Sequence, residues 1–71
     1  MYKVIVETKT HVYSSEIDCT LFHEQVEKDN YIWIEDYVND EVFDIIQEYS
    51  VDDLDVEDNY LQDAKGNKLD F

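Results

Sequence analysis

Apolar and polar positions alternate in the N-terminal part of the chain, which is also rich in β-branched side chains. Alternation of this kind is typical of strands with one buried face. The stretch YKVIVETK predicts a strand over about residues 2–9, and HVYSSEID predicts a second strand over 11–18. We expect the two strands to pair with each other.

Helical spacing replaces this alternation from Thr20 onward. Positions 21, 22, 25 and 26 share one face of a helix predicted over about 20–28, and Thr20 is a suitable N-cap. The stretch NYIWIED that follows is ambiguous, because its apolar run suits either a buried strand or the start of a longer helix.

The clearest helical pattern is NDEVFDIIQEYS, capped by Asn39 or Asp40. Its apolar residues have the i, i+3, i+4, i+7 spacing of one buried stripe. We expect most of the nearby aromatic rings to lie in the core, with Tyr37 or Tyr60 as candidates for an exposed ring among acids. The stripe consists of Val42, Ile45, Ile46 and Tyr49, and the rings are those of Tyr31, Trp33, Tyr37, Phe43 and Tyr49.

The C-terminal part returns to a β pattern. In DLDVEDNY, alternation predicts one face with Leu54, Val56 and Tyr60, and an opposite face with acids. The stretch YLQDAKGNKLDF predicts a hairpin in which Gly66 supplies the positive φ of the turn. The element order is ββα-x-αββ. It predicts a single α+β domain over residues 1–71, with one or two helices packed on one face of a small antiparallel sheet.

The net charge of the chain is more informative about its partners than any motif. The chain has 19 Asp and Glu against five Lys and no Arg, for a formal net charge of −14. A hydrophobic content of 44%, with one Gly and no Pro, nevertheless favours an ordered fold. Such a surface argues against direct binding of nucleic acid or acidic membranes, and it favours metal ions or basic proteins as partners.

The acids are unevenly distributed. No Lys or Arg occurs in the 36 residues between Lys28 and Lys65, which contain 13 acids. Asp40, Asp44 and Glu48 would form one row on the helix, and Asp53, Asp55 and Glu57 one row on the following strand. Like charges four residues apart destabilise a helix, so this row is retained at a cost. The predicted partner-binding residues are Glu35, Asp36, Asp40, Glu41, Asp44, Glu48, Asp52, Asp53, Asp55, Glu57 and Asp58.

Other interpretations of these acids are weaker. A calcium loop beginning at Asp53 would have Asp58 where the EF-hand needs Gly and Ala64 where it needs Glu. Cys19 and His23 could form a thiol–imidazole pair on a helix, but no third group orients them. We predict no enzyme activity, no metal site and no cofactor. A divalent-metal-binding or structural acidic domain, including one adapted to high salt, is the alternative function.

The remaining features bear on location. The chain has one cysteine, which suits a reducing compartment, and MYKVIVE lacks the long apolar segment of a signal peptide. The apolar run YIWI is far too short to span a bilayer. These features predict a soluble, cytosolic protein.

In length, α+β pattern and the lysine-free window DNYIWIEDYVNDEVFDIIQEYSVDDLDVEDNYLQDA, the chain resembles small acidic bacteriophage proteins that mimic DNA. That class includes inhibitors of the nucleoid protein HU made by lytic Bacillus phages. The resemblance implies host takeover by protein–protein interaction in the host cytoplasm, at the nucleoid through the target, without a cofactor. The partner would be a basic DNA-binding host protein. A homodimer is compatible with this hypothesis, since it would double the acidic array.

Overall fold

Two helices pack against a four-stranded antiparallel sheet in the computed structural model, which describes residues 1–69. The strands lie in the order β2-β1-β3-β4, so that the first and third are central. The predicted α+β class is confirmed. Residues 70 and 71, at the end of the predicted C-terminal hairpin, lie outside the described residues. The elements are β1 (Tyr2–Thr8), β2 (Val12–Ile17), α1 (Thr20–Glu27), α2 (Tyr31–Glu48), a 3-10 turn (Asp53–Asp55), β3 (Val56–Gln62) and β4 (Lys68–Leu69).

Strand β1 is the centre of the molecule. Val4 lies opposite Ser15 of β2 and Leu61 of β3, and Val4 and Val6 are fully buried under the helices. Ile5 points to the other face of the sheet, because side chains alternate along a strand. The core contains no buried polar or charged residue among residues 1–69. Its members are Val4, Val6, Ile17, Phe22, Ile34, Val38, Val42, Ile45 and Leu61.

The corner between the helices resolves the ambiguous stretch NYIWIED as helix. Asp29 takes a positive φ of 54°, and the Asn30 N–H donates to the Gln25 carbonyl at 3.1 Å, which ends α1. The Asn30 side chain then accepts from the Trp33 N–H at 3.5 Å and caps α2.

The structure also corrects the predicted N-caps of both helices. Asn39 and Asp40 do not begin a helix, because they lie in the middle of α2. Thr20 is the first residue of α1, and Cys19 is its N-cap, without a side-chain hydrogen bond.

Helix α2 ends on the same kind of motif. Ser50 has a φ of 52°, the Ser50 N–H donates to Gln47 O at 3.3 Å, and the Val51 N–H donates to Ile46 O at 2.9 Å. Glycine usually occupies this left-handed position. Since this chain has one glycine, Asp29 and Ser50 close its two helices instead.

The predicted strand from Leu54 onward is wrong in its first half. The Asp52 carboxylate accepts from the Leu54 N–H at 3.0 Å and closes a 3-10 turn, so β3 begins only at Val56. Leu54 is 91% exposed, not buried. Val56 and Tyr60 do not share a face, because the pairing of β1 with β3 shifts at Glu57 and leaves that residue as a bulge.

The β3–β4 hairpin matches the prediction at its turn. Gly66 has a φ of 87°, as predicted for this turn position. Asp63 Oδ1 accepts from the Lys65 N–H at 2.9 Å and from the Asn67 N–H at 2.8 Å. A single carboxylate therefore organises the loop.

The aromatic residues divide between core and surface. Phe22 is fully buried and lies within 6.1 Å, centroid to centroid, of the rings of Tyr2, Trp33 and Tyr37. By contrast, Tyr31, Phe43 and Tyr49 are 53%, 59% and 50% exposed, which corrects the expectation that they belong to the core. Tyr37 and Tyr60, the candidates for exposure, are both half-buried.

Candidate functional site

Helix α2 presents a row of carboxylates to solvent. Asp40, Asp44 and Glu48, which we call the acidic row, are all exposed. They lie four residues apart, so each is about 6 Å further along the helix axis than the last. Val38, Val42 and Ile45 bury the other side of the helix. Glu35 and Asp36 extend the exposed acids toward the start of α2.

A second group of acids follows the end of α2 without interruption by a basic residue. The acidic turn consists of Asp52, Asp53, Asp55 and Glu57, all of which are exposed. The predicted strand-borne row of Asp53, Asp55 and Glu57 is wrong, because the first two lie in the 3-10 turn and the third is the bulge of β3. The exposed acids therefore lie first on a helix and then on the turn that follows it.

Two of the predicted partner-binding acids bind side chains from other elements of the protein. Glu41 is half-buried, and its carboxylate accepts a hydrogen bond from Ser15 Oγ at 3.4 Å. Asp58 Oδ2 lies 3.0 Å from Lys68 Nζ. The hydrogen bond from Lys68 lowers the pKa of Asp58, which keeps this carboxylate ionised and locally neutralised. The other nine predicted acids are exposed.

The lysines lie outside α2 and the acidic turn. Lys3 is in β1, Lys9 is in the turn after it, and Lys28 is the C-cap of α1. Lys65 and Lys68 belong to the β3–β4 hairpin. The outer face of the sheet consequently has mixed charge: Lys3 lies opposite Glu16, and Lys68 pairs with Asp58. The separation of charge seen along the sequence is less complete in space, since Lys9 lines a cavity with Asp52 and Asp55, and Lys68 lines another with Glu35.

The suggested thiol–imidazole pair has no support in the side-chain contacts. Cys19 precedes α1 and is half-buried, and its thiol interacts with Tyr37. Burial, followed by the charge of Glu41 and the contact with Cys19, raises the pKa of Tyr37. The His23 ring packs on Tyr2, with 5.3 Å between ring centroids. Cys19 and His23 therefore have different partners.

Residues 1–69 contain no group of three His, Cys, Asp or Glu side chains placed to hold a metal ion. The Asp53 segment, considered above as a calcium loop, is a 3-10 turn whose Asp52 carboxylate already caps a backbone N–H. Within the same residues, no helix is sufficiently long and apolar to cross a membrane.

Sequence reasoning missed the exposed apolar side chains beside the acids. Ile32 is 80% exposed and Phe43 is 59% exposed, both on α2, and Leu54 protrudes from the acidic turn. A signal was available for the first two, since neither falls on the stripe of Ile34, Val38 and Ile45. Buried stripes repeat every three or four residues, so residues outside that stripe face solvent.

Protein-family models, curated proteins and solved structures give no match to this chain. Its function must therefore be inferred from its own surface. That surface combines an exposed acidic row, an acidic turn and a few exposed apolar side chains on a molecule 34 Å long.

Proposed function

We propose that this protein is a DNA mimic that binds the DNA-binding surface of a basic host protein and competitively excludes DNA. The observation that carries the proposal is the exposure of nine acids on α2 and the acidic turn, in a window without Lys or Arg. The nucleoid protein HU is the proposed target. The proposed site of action is the host cytoplasm, at the nucleoid.

Dimensions support the proposal. The molecule is 34 Å long, close to the ~34–36 Å of one helical turn of B-DNA. Carboxylates of the acidic row rise by about 6 Å per step along the helix axis, roughly twice the 3.4 Å axial rise per phosphate of one DNA strand. A groove lined with Lys and Arg would meet fewer negative charges on this protein than on DNA. The carboxylates of the acidic row are, however, held on a rigid helix.

The mechanism follows from electrostatics. Lys and Arg side chains of the target would pair with Asp40, Asp44 and Glu48 and with the acidic turn. Exclusion is competitive because one basic surface cannot hold both polyanions at once. Binding should weaken as salt rises, since screening acts on all exposed pairs.

A competition experiment tests the proposal. Purified HU is bound to a fluorescent DNA duplex, the protein is added, and anisotropy is followed at several NaCl concentrations. We expect release of the DNA at low salt and a falling affinity of the protein for HU as salt rises. Failure to bind HU at about 50 mM salt, where electrostatic contacts are strong, would refute HU as the target.

Charge-reversal variants locate the contact surface. Asp40→Lys with Asp44→Lys changes the acidic row, and Asp53→Lys with Asp55→Lys changes the acidic turn. The matched control is Glu24→Lys with Glu27→Lys, which makes the same change in charge at exposed positions of α1. We expect the first two variants to lose inhibition and the control to retain most of it. Equal loss in all three would mean that net charge alone determines binding.

A homodimer is a further part of the proposal, since a two-fold assembly would double the number of acids offered to a target. Sedimentation equilibrium on the free protein measures it directly. We expect the fraction of dimer to rise with salt, because screening reduces repulsion between two chains of charge −14 each.

A further inference from the structure

The solvent-facing side of α2 carries two apolar side chains among its acids. Ile32 is 80% exposed and Phe43 is 59% exposed. They are eleven residues apart, so they lie on the same side of the helix, about 16 Å from each other. Asp36 and Asn39 lie on that side between them. We call these four residues the α2 outer face.

The α2 outer face is unusual because it carries apolar side chains on the solvent-facing side of the helix. A surface helix normally keeps its apolar residues on the stripe facing the core, and α2 already has such a stripe in Ile34, Val38 and Ile45. Phe43 is therefore an additional apolar residue that packing of the fold does not require. Exposed aromatic side chains bordered by polar ones are typical of the residues that dominate binding energy in protein interfaces.

Charge identifies what kind of surface would cover the α2 outer face. Glu35, Asp40 and Asp44 border it and are exposed, and α2 contains no Lys or Arg. A second copy placed here would bring these acids against the same acids, at a cost in electrostatic repulsion. A surface with Lys and Arg around an apolar depression would instead gain both ionic contacts with the acids and apolar contacts with the α2 outer face.

We propose that Phe43 and Ile32 are apolar anchors by which the α2 outer face binds a basic protein surface containing an apolar depression. This inference rests on the proposed function and adds to it the partner chemistry of one face. A basic groove finds no comparable apolar contact on the phosphates of DNA. The anchors would therefore give the protein a component of affinity that the phosphates of DNA lack.

Salt dependence separates the two components. Ionic contacts weaken as salt rises, whereas burial of apolar surface does not. Removing an anchor should lower affinity by a similar factor at every salt concentration. Removing acids should reduce the slope of log affinity against log salt. The two kinds of variant are thus distinguishable on the same target.

The experiment uses purified HU as the probe and calorimetry or anisotropy at about 50–200 mM NaCl, the range over which phosphate-type contacts change most visibly. The variants are Phe43→Ala and Ile32→Ala, and Asp40→Asn with Asp44→Asn. Val12→Ala is the matched control, because Val12 is 68% exposed on β2. Alanine favours helix, so the α2 variants should fold, which circular dichroism checks.

We expect Phe43→Ala to weaken binding on the order of tenfold at each salt concentration with an unchanged slope, and Val12→Ala to have little effect. If Phe43→Ala behaves like the control while the Asp40 and Asp44 variant loses affinity, the inference fails and the proposed function stands. If the unaltered protein does not bind HU, both fail. If Phe43→Ala instead converts a dimer to a monomer in sedimentation, a second copy covers this face and the inference is wrong.

Discussion

The Tyr60 hydroxyl donates a hydrogen bond of 2.7 Å to Glu7 Oε1 on the outer face of the sheet. It joins the two central strands, since Tyr60 lies in β3 and Glu7 in β1. Lys68 Nζ lies 5.0 Å from the centre of the Tyr60 ring. One ring therefore links β1, β3 and β4 on the side of the sheet away from the helices.

The hydrogen bond to Glu7 raises the pKa of Tyr60, because the neutral phenol is the donor. A raised pKa in the folded state means that the contribution to stability is present below the unfolded pKa of about 10 and is lost as pH rises through the folded value. We expect Tyr60→Phe to lower the free energy of unfolding by about 1 kcal/mol at pH 7. Ultraviolet titration should show one late-titrating tyrosine fewer in the variant. An unchanged titration curve would contradict the assignment.

Asp63 should make the β3–β4 hairpin sensitive to acid. Backbone hydrogen bonds, first from Asn67 and then from Lys65, lower its pKa. A lowered folded pKa gives stability that is present above the unfolded value of about 3.9 and is lost as pH falls through the folded value. We expect Asp63→Ala to be less stable than the unaltered protein at pH 7, with the difference shrinking below about pH 4. Urea unfolding at several pH values measures this. A difference independent of pH would show that the carboxylate charge is not involved.

The left-handed end of α2 predicts a stabilising substitution. Ser50 has a φ of 52°, where a side chain costs ~1–2 kcal/mol and glycine does not. Glycine loses more entropy on folding, so we expect Ser50→Gly to raise the free energy of unfolding by about 0.5–1 kcal/mol net. Ser14→Gly is the control. Ser14 lies exposed in β2, where glycine should destabilise. Urea midpoints compare the two, and a lower midpoint for Ser50→Gly would contradict the prediction.

Neutralising the acidic row should stabilise the free protein. Asp40, Asp44 and Glu48 form two like-charge pairs, each costing about 0.2–0.5 kcal/mol. We expect the triple change to Asn, Asn and Gln to raise the free energy of unfolding by about 0.5–1 kcal/mol at low salt. The gain should nearly vanish near 1 M NaCl, where the screening length is about 3 Å. Thermal unfolding across a salt series measures it, and a gain that is the same at all salt concentrations would not come from charge.

Sequence alone was sufficient where local pattern and burial agree. The alternation in β1, the face shared by Phe22 and Val26 and the stripe through Val42 and Ile45 each reflect one buried side. Gly66 was identifiable because a left-handed turn position favours the chain's one glycine. The lysine-free window is likewise a property of sequence, and the structure adds that nine of the eleven predicted acids are exposed.

Tertiary structure decided the remaining features, because non-local pairing overrides local alternation. The bulge at Glu57 separates Val56 from Tyr60 and depends on the register of β3 against β1. The Asp52 cap turns an apparently alternating segment into a 3-10 turn and leaves Leu54 in solvent.

The length of α2 and the exposure of Phe43 were settled in the same way. Asn30 ends α1 through its backbone N–H and caps α2 through its side chain. Only the path of the chain at this corner makes YIWI the first turn of an 18-residue helix. Once α2 runs from Tyr31, its sheet-facing side is fixed by Ile34, Val38 and Ile45, and Phe43 points away. Amino-acid sequence determined that the protein would be an acidic α+β domain. Packing of helix on sheet determined which acids and which apolar side chains a partner would meet.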